Sequence, residues 1–336
     1  MSTAKHTLVT GAAGFIGSAL IQTLNQSGLT DIVASDILGQ DEKFKNLIPL
    51  RYADYIEADA LLVLAEEQPD YFDQFDTIFH LGACSATTEK DASYLIRNNY
   101  EYTKTLATIA IEKGIRFVYA SSAATYGDGS KGMDDTLEDL HTLCPLNMYG
   151  YSKHMFDCYA QRMGWLDKIV GLKYYNVFGP NEWHKGDMRS LVAKSYEQIL
   201  ASGEIALFKS YHPDYTDGNQ MRDFLYVKDA VAMTIHLARS SQANGLFNLG
   251  SGTANTWNTL ATAIFTALEL EPNIRYIEMP EQLKGKYQYY TCANTGKLQA
   301  TGYHSEGYSL QHAVKDYVQN YLATGKHLGQ EERLES

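Results

Sequence analysis

Cysteine is scarce: four residues in 336, with no CxxC pair. Cys84, Cys144, Cys158 and Cys292 are widely spaced, which excludes a disulfide framework and a thiolate metal site. Reduced thiols in a cytoplasmic protein fit this usage best. The ten histidines form no HxH or HxxxH pair with partner acids, so no metal is expected. Positive charge is also short: 28 Lys+Arg against 40 Asp+Glu give a net charge of −12. That argues against nucleic acid and anionic membrane surfaces as partners. It leaves room for an anionic small molecule, which needs only a local positive site. No run approaches the ~18 apolar residues of a membrane span, and there are no repeats or low-complexity tracts. The apolar N-terminal run "HTLVTGAAGFIGSALI" follows a lysine, but three regularly spaced glycines interrupt it, which disfavours a signal peptide. The closing "HLGQEERLES" reads as a polar tail.

What is present is a chain able to build a sizeable core, with 45% apolar and 20% charged residues. Short β-branched runs alternate with helical stretches in the first half. Strands are expected at 6–10, 31–36, 77–83, 116–122 and 169–177, and helices at 15–26, 94–113 and 149–163. Such alternation implies an α/β fold: a Rossmann-type, doubly wound parallel sheet. Past residue 180 loops dominate, apart from "DFLYVKDAVAMTIHLARS" (strand into helix) and "GLFNLGSG" (strand). We expect a dinucleotide-binding domain over 1–175, with a later return near 225–250. A smaller, discontinuous substrate-binding lobe should cover most of 176–330.

Gly11, Gly14 and Gly17 form GxxGxxG between the first strand and the first helix. Glycines there allow a tight turn and close approach of the backbone to a pyrophosphate, which the helix N-terminus favours. An acid, Asp36, ends the next strand, where a ribose hydroxyl would be bound. Lys43 follows closely and could contact a 2′-phosphate. The first residue favours NAD and the second NADP, and the motif leaves both open.

Tyr149 and Lys153 stand four apart at the start of an expected helix, on one face. A phenol with a pKa near ~10 is a poor base unless a cation stabilises its anion. The preceding strand ends in Ser121 and Ser122, at the edge where open α/β sheets bind ligands. Tyr151 is a competing phenol, two residues from Lys153 and so turned elsewhere.

These pieces resemble the extended short-chain dehydrogenase/reductases that act on nucleotide sugars. "GACSATTEKD", "NNY", "YASSAATYG", "PLNMYGYSK", "YYNVFGPNEWHKG", "RDFLYV", "GLFNLGSG" and "LKGKYQYYT" narrow the match to the ADP-L-glycero-D-manno-heptose 6-epimerase family. They span nearly the whole chain, and the HKG loop and LKGKYQ discriminate.

The resemblance implies epimerisation at C6 of ADP-D-glycero-β-D-manno-heptose, in lipopolysaccharide heptose precursor synthesis, with bound NADP (or NAD). It implies Tyr149 as acid/base, Lys153 as the residue that lowers its pKa, Ser122 as the group that orients the hydroxyl, and Lys185 as the second proton carrier. Implied cofactor contacts, beside the glycines, Tyr149, Lys153 and Lys185, are Phe15, Ile16, Asp36, Ile37, Lys43, Leu81, Gly82, Ala83, Cys84, Ser85, Asn98 and Val177. Substrate contacts are Ser122, Asn176, Phe208, Arg222 and Tyr287. Asp187 and Lys194 fall at two further substrate positions, where the family has serine and histidine. Ile37 and Ala58 replace polar residues of the family's cofactor site, and the loop at 209–221 is longer than usual. Family habit suggests a homo-oligomer. The rival readings are a nucleotide-sugar 4-epimerase or 4,6-dehydratase of the same fold, and a non-catalytic NADP-sensing protein. Ala123 and Ala124 after Ser122 lack the acid pair expected of a dehydratase.

Overall fold

The computed structural model describes residues 6–284 and 287–330. Gly285 and Lys286 of "LKGKYQYYT", and the last six residues of the polar tail, lie outside them. Twelve strands are present among the described residues. They are β1 (His6–Thr10), β2 (Ile32–Asp36), β3 (Asp54–Glu57), β4 (Phe75–His80), β5 (Arg116–Ser122) and β6 (Val170–Tyr174). Then come β7 (Asn176–Phe178), β8 (Ile205–Phe208), β9 (Met221–Tyr226), β10 (Gly245–Leu249), β11 (Ala254–Thr256) and β12 (Ile274–Ile277).

Seven strands form one parallel sheet in the order β3-β2-β1-β4-β5-β6-β10. Its strands alternate between two cores. Leu8, Val33, Ile78 and Phe117 enter one, and their neighbours Val9, Ala34, Phe79 and Val118 the other. Every residue of β2, β6 and β10 is buried, as expected for a sheet covered on both faces. The strand order reverses between β1 and β4. Ligands of open α/β sheets bind at such a point, beyond the strands' carboxyl ends. The loops there begin at Gly11 and Leu81, and the Leu81 N–H donates to the Thr10 carbonyl at 3.2 Å.

Sequence and structure differ in three places. β3 and the helix Ala58–Glu67 were not foreseen; β3 has only four residues, with exposed acids at both ends. The apolar run 169–177 is not one strand. After β6 the chain bends at Tyr175, whose N–H donates to the Leu249 carbonyl, and β7 pairs with β9 in a separate sheet with β11. So the "strand into helix" segment starts outside the main sheet, while "GLFNLG" joins it beside β6. The expected helix 94–113 consists of Ala92–Leu95, a π turn Ile96–Glu101 and Tyr102–Lys113.

A buried charged pair ties β6 to a helix. Lys173 on β6 donates to Asp157, on the helix Met148–Arg162, at 2.9 Å, and to the Thr125 hydroxyl at 2.6 Å. Both side chains are fully buried. Tyr119 and Ser121 of β5 donate to the same carboxylate at 2.8 and 2.7 Å. Removing one partner of such a pair leaves a buried charge, whereas neutralising both does not. Lys173→Met should therefore cost about 3–5 kcal/mol, read as a lower urea midpoint. Lys173→Met combined with Asp157→Asn, which still offers Tyr119 and Ser121 a partner, should recover more than half of that loss.

Candidate active site

The first helix, Phe15–Gln26, starts without a side-chain cap and without an acid in its first turn. Its N-terminal dipole is therefore available to an external anion. Gly11, before it, and Gly17, in its first turn, are sterically required. Gly11 has φ +67°, and a Cβ there would lie 2.7 Å from the Gly82 nitrogen; a Cβ on Gly17 would overlap the Gly11 carbonyl oxygen. Next to this turn the Asp36 carboxylate accepts from Ala13 N–H at 2.8 Å, Ile37 N–H at 2.7 Å and Lys43 Nζ at 2.9 Å.

Gly11, Gly14, Phe15, Ile16, Gly17, Asp36, Lys43 and residues 81–85 meet on one cleft of about 350 Å³, together with His184 and Lys185. The tight glycine turn, the uncapped helix and the Asp36–Lys43 pair suit a dinucleotide's pyrophosphate and ribose. Ile37 contributes its N–H, while its side chain is exposed. Asn98 does not reach this cleft; its amide donates to the Tyr94 carbonyl. The adjacent Asn99, fully buried in the π turn, pairs with both backbone groups of Cys84 (2.8 and 3.0 Å) and with Ser152 Oγ (2.9 Å). It ties the cleft wall to the helix of Tyr149. Two consecutive asparagines gave the sequence no means of separating their directions.

Lys153 is buried and donates to the Ala120 carbonyl at 2.8 Å, on the floor of the cleft. Burial pulls its pKa down to about 8, against the opposing charge of Asp157 one turn on. Burial pushes the Tyr149 phenol up, and the hydrogen bond with Ser122 opposes that rise. Ser122 also accepts from the Ala124 N–H at 3.1 Å. The strand-end serine and the helix-borne Tyr149 thus stand side by side, and neither lines the cleft.

Lys185 is carried by the turn Trp183–Met188. Its Nζ stands 5.2 Å from the centre of the Phe15 ring, at the start of the first helix. Burial lowers its pKa, and Glu182 is the carboxylate that raises it. Asp187, implied by the resemblance as a substrate position, is exposed and lines neither cleft; its backbone carbonyl accepts from Lys194 Nζ at 3.3 Å. The loop is pinned by groups that were not foreseen. Glu182, 1% exposed, accepts from Ser190 N–H (2.6 Å), Ser190 Oγ (2.5 Å) and Tyr317 Oη (3.0 Å). Asn181, at φ 76°, donates to Ser18 Oγ and accepts from Leu328 N–H. Trp183 packs against the main core.

A second cleft of about 490 Å³ shares Met188 with the first and holds Asn176, Val177, Lys194, Phe208 and Tyr287. Val177, expected on the cofactor, lines this cleft instead. Arg222 lies behind it between the Trp257 and Tyr287 rings, 5.8 and 5.0 Å from their centres. Its guanidinium donates to the carbonyls of Met221 and Gln288 and to no carboxylate among the described residues. The nearby acids are engaged elsewhere: Asp223 accepts from Ser251, Gly252 and Ala293, and Asp229 from Tyr308.

The profile of the NAD dependent epimerase/dehydratase family matches residues 7–250. The ADP-L-glycero-D-manno-heptose-6-epimerase of Nitratidesulfovibrio vulgaris strain Hildenborough is 52% identical over 316 residues, covering 94% of this chain and 98% of that protein. The crystal structure of the Helicobacter pylori ADP-L-glycero-D-manno-heptose-6-epimerase superposes with a TM-score of 0.77 at 27% identity, covering 95% and 98% of the two chains. A Methanobrevibacter ruminantium UDP-N-acetylglucosamine 4-epimerase superposes equally well (TM-score 0.79, 22% identity, 96% and 99% coverage), which speaks to the fold alone.

Burial raises the Glu182 pKa above its ordinary value. A group of this kind contributes its full stability below the unfolded-state pKa of about 4.3 and loses it as pH rises through the folded-state value. Glu182→Gln can keep all three contacts without that titration. Wild type should therefore lose stability relative to Glu182→Gln as pH rises from 5 to 8, measured as the difference between their urea midpoints.

Proposed function

This chain belongs to the NAD dependent epimerase/dehydratase family, and within it to the family of the ADP-L-glycero-D-manno-heptose-6-epimerases; on that premise we propose that it inverts C6 of ADP-D-glycero-β-D-manno-heptose. The observation that carries the reading is the position of Lys185, a proton-bearing side chain from the second lobe on the same cleft as the glycine turn. Inversion needs proton exchange on two sides of one carbon. Tyr149 serves one side only.

The residues present fit a nicotinamide dinucleotide: the crowded glycine turn, the uncapped helix and the Asp36–Lys43 pair hold its phosphates and ribose. When bound, that group supplies the hydride acceptor and donor. Tyr149 takes the proton of the C6 hydroxyl as the carbon is oxidised to a ketone. Ser122, bonded to Tyr149, holds the oxygen. Lys153 brings a positive charge to the floor of the cleft and favours the phenolate. Because C6 lies outside the sugar ring, rotation about C5–C6 turns the other face of the carbonyl toward the hydride. The oxygen then points to Lys185, which donates the proton. Burial has already drawn the pKa of Lys185 toward the range where donation is easy. The reverse reaction exchanges the two roles, and no cofactor is consumed.

Arg222 is our diphosphate clamp, since a guanidinium without a carboxylate can bind phosphate oxygens through two hydrogen bonds. The apolar second cleft takes the nucleoside. NADP is our choice of cofactor: Lys43 already neutralises Asp36 where a 2′-phosphate would enter. We place the protein in the cytoplasm, as a homo-oligomer. All four cysteines are unpaired and no helix among the described residues is long and apolar enough to cross a membrane.

Incubation with ADP-D-glycero-β-D-manno-heptose and no added cofactor should yield the C6 epimer by NMR, and denaturation should release NADP. Turnover of UDP-glucose in place of the heptose would move the assignment to a 4-epimerase, and released NAD would reverse the cofactor choice. Lys185→Met should reduce epimerisation by about 10²–10⁴-fold, the usual worth of a positioned acid or base, while the dinucleotide stays bound. Retained wild-type turnover would remove Lys185 from the mechanism.

A further inference from the structure

His184 lines the dinucleotide cleft beside Lys185 and has no role in the reaction above. Its Nδ1 lies 3.4 Å from Nδ2 of Asn46. The orientation of that amide is fixed by its other partners. The same nitrogen donates to the carbonyls of Ala13 at 2.9 Å and Asn181 at 3.1 Å, and Oδ1 meets Nδ1 of His327 at 2.7 Å. A nitrogen that serves two carbonyls is the NH₂ group. Both of its hydrogens go to those carbonyls and it has no lone pair to offer, so an Nδ1–H of His184 would find no acceptor there, and the proton of the neutral ring belongs on Nε2. Among the described residues Nε2 has no hydrogen-bond partner.

The ring is also kept neutral. Burial, and then the Lys43 and Lys185 cations, draw its pKa down to about 4, against the pull of Asp41 and Asp36. Asn46 is itself buried at 1% exposure. Through Ala13 it is bonded to the phosphate loop, and through Asn181 to the loop that carries Lys185. The ring is thus referenced to both walls of the cleft.

We propose that His184 is a dinucleotide contact, a neutral donor whose Nε2–H bonds an oxygen of the cofactor, and that Asn46 is the positioning residue that sets its tautomer. The inference rests on the reading of this cleft as the NAD(P) site. A neutral donor suits the place: it grips an anionic or hydroxyl oxygen without adding a permanent cation beside Lys185. Another cation there would hinder protonation of Lys185.

The test titrates full-length protein, stripped of cofactor, with NADP⁺ and with NAD⁺. His184→Phe removes the donor, and His184→Asn keeps an amide but ends a bond short. Both should bind about tenfold or more weakly, the worth of a hydrogen bond to an anion. His184→Gln, whose amide nitrogen can occupy the Nε2 position, should stay within about threefold of wild type on the same scale. If His184→Phe fails to fold by circular dichroism, His184→Asn decides. Wild-type affinity in the donor-lacking variants overturns the proposal. Binding by His184→Gln as weak as that of His184→Phe overturns the donor role. Imidazole ¹⁵N shifts of wild type should show the Nε2–H tautomer from pH 6 to 8; an Nδ1–H ring, or an imidazolium, overturns the part given to Asn46. A wild type that binds neither dinucleotide overturns the site reading itself, and the inference with it.

Discussion

The buried pairing of Lys173 with Asp157 is the interaction on which the placing of Ser122 and Lys153 depends. A charge pair in a dry interior keeps its place only when its remaining donors and acceptors are satisfied, and here they are. Tyr119 and Ser121 from β5, Lys173 from β6 and Asp157 from the Tyr149 helix converge on one carboxylate. Thr125, which accepts from Lys173, donates in turn to the Ser122 carbonyl. Two strands, the turn after β5 and the helix are thereby held in one register. Ser122 leaves this knot at one end and Lys153, one turn before Asp157, at the other. Their separation is set by a network that touches no ligand.

Lys185, our proposed second proton carrier, needs a different solution, because it arrives on a loop. A loop lysine pays a large entropy cost to hold one position, and an ion pair to fix it would block its chemistry. The chain fixes the neighbours instead. Glu182, three residues before Lys185, is saturated by Ser190 and Tyr317, and Asn181 is tied to Ser18 in the first helix. Asn181 adopts φ 76°, a left-handed conformation that asparagine tolerates better than most residues. Glu182 still acts on Lys185 through its charge, but without a contact that would have to break.

Much of this was legible in the residues. The strand–turn–helix with Gly11, Gly14 and Gly17 falls where expected, because a Cβ at Gly11 or Gly17 would overlap backbone atoms. Tyr149 and Lys153 share a face because four residues make about one helical turn. The branched run at 169–177 misled because its residues suit a buried strand throughout. What divides it is the carbonyl of Leu249, 74 residues beyond Tyr175 in the chain, and no local pattern encodes that. Glu182 and Asn46 escaped for a similar reason. Each acts through partners distant in sequence, and an isolated Glu or Asn in a polar loop carries no sign of burial.

The acidic composition sharpens the reading of the cations. With 40 carboxylates for 28 lysines and arginines, partners are plentiful, and 13 ion pairs do form among the described residues, counting those with histidine. Yet none of them includes Lys153, Lys185 or Arg222. Lys153 donates to a backbone carbonyl, Lys185 stands over an aromatic ring, and Arg222 lies between two rings with its fork on two carbonyls. Burial lowers the pKa of each, so each charge weakens the isolated chain. A protein with carboxylates to spare leaves buried cations unpaired where the compensating negative charge comes from outside. Lys153 and Lys185 flank the glycine turn and Arg222 backs the second cleft, so the unpaired charge follows the line a dinucleotide and a nucleotide sugar would share.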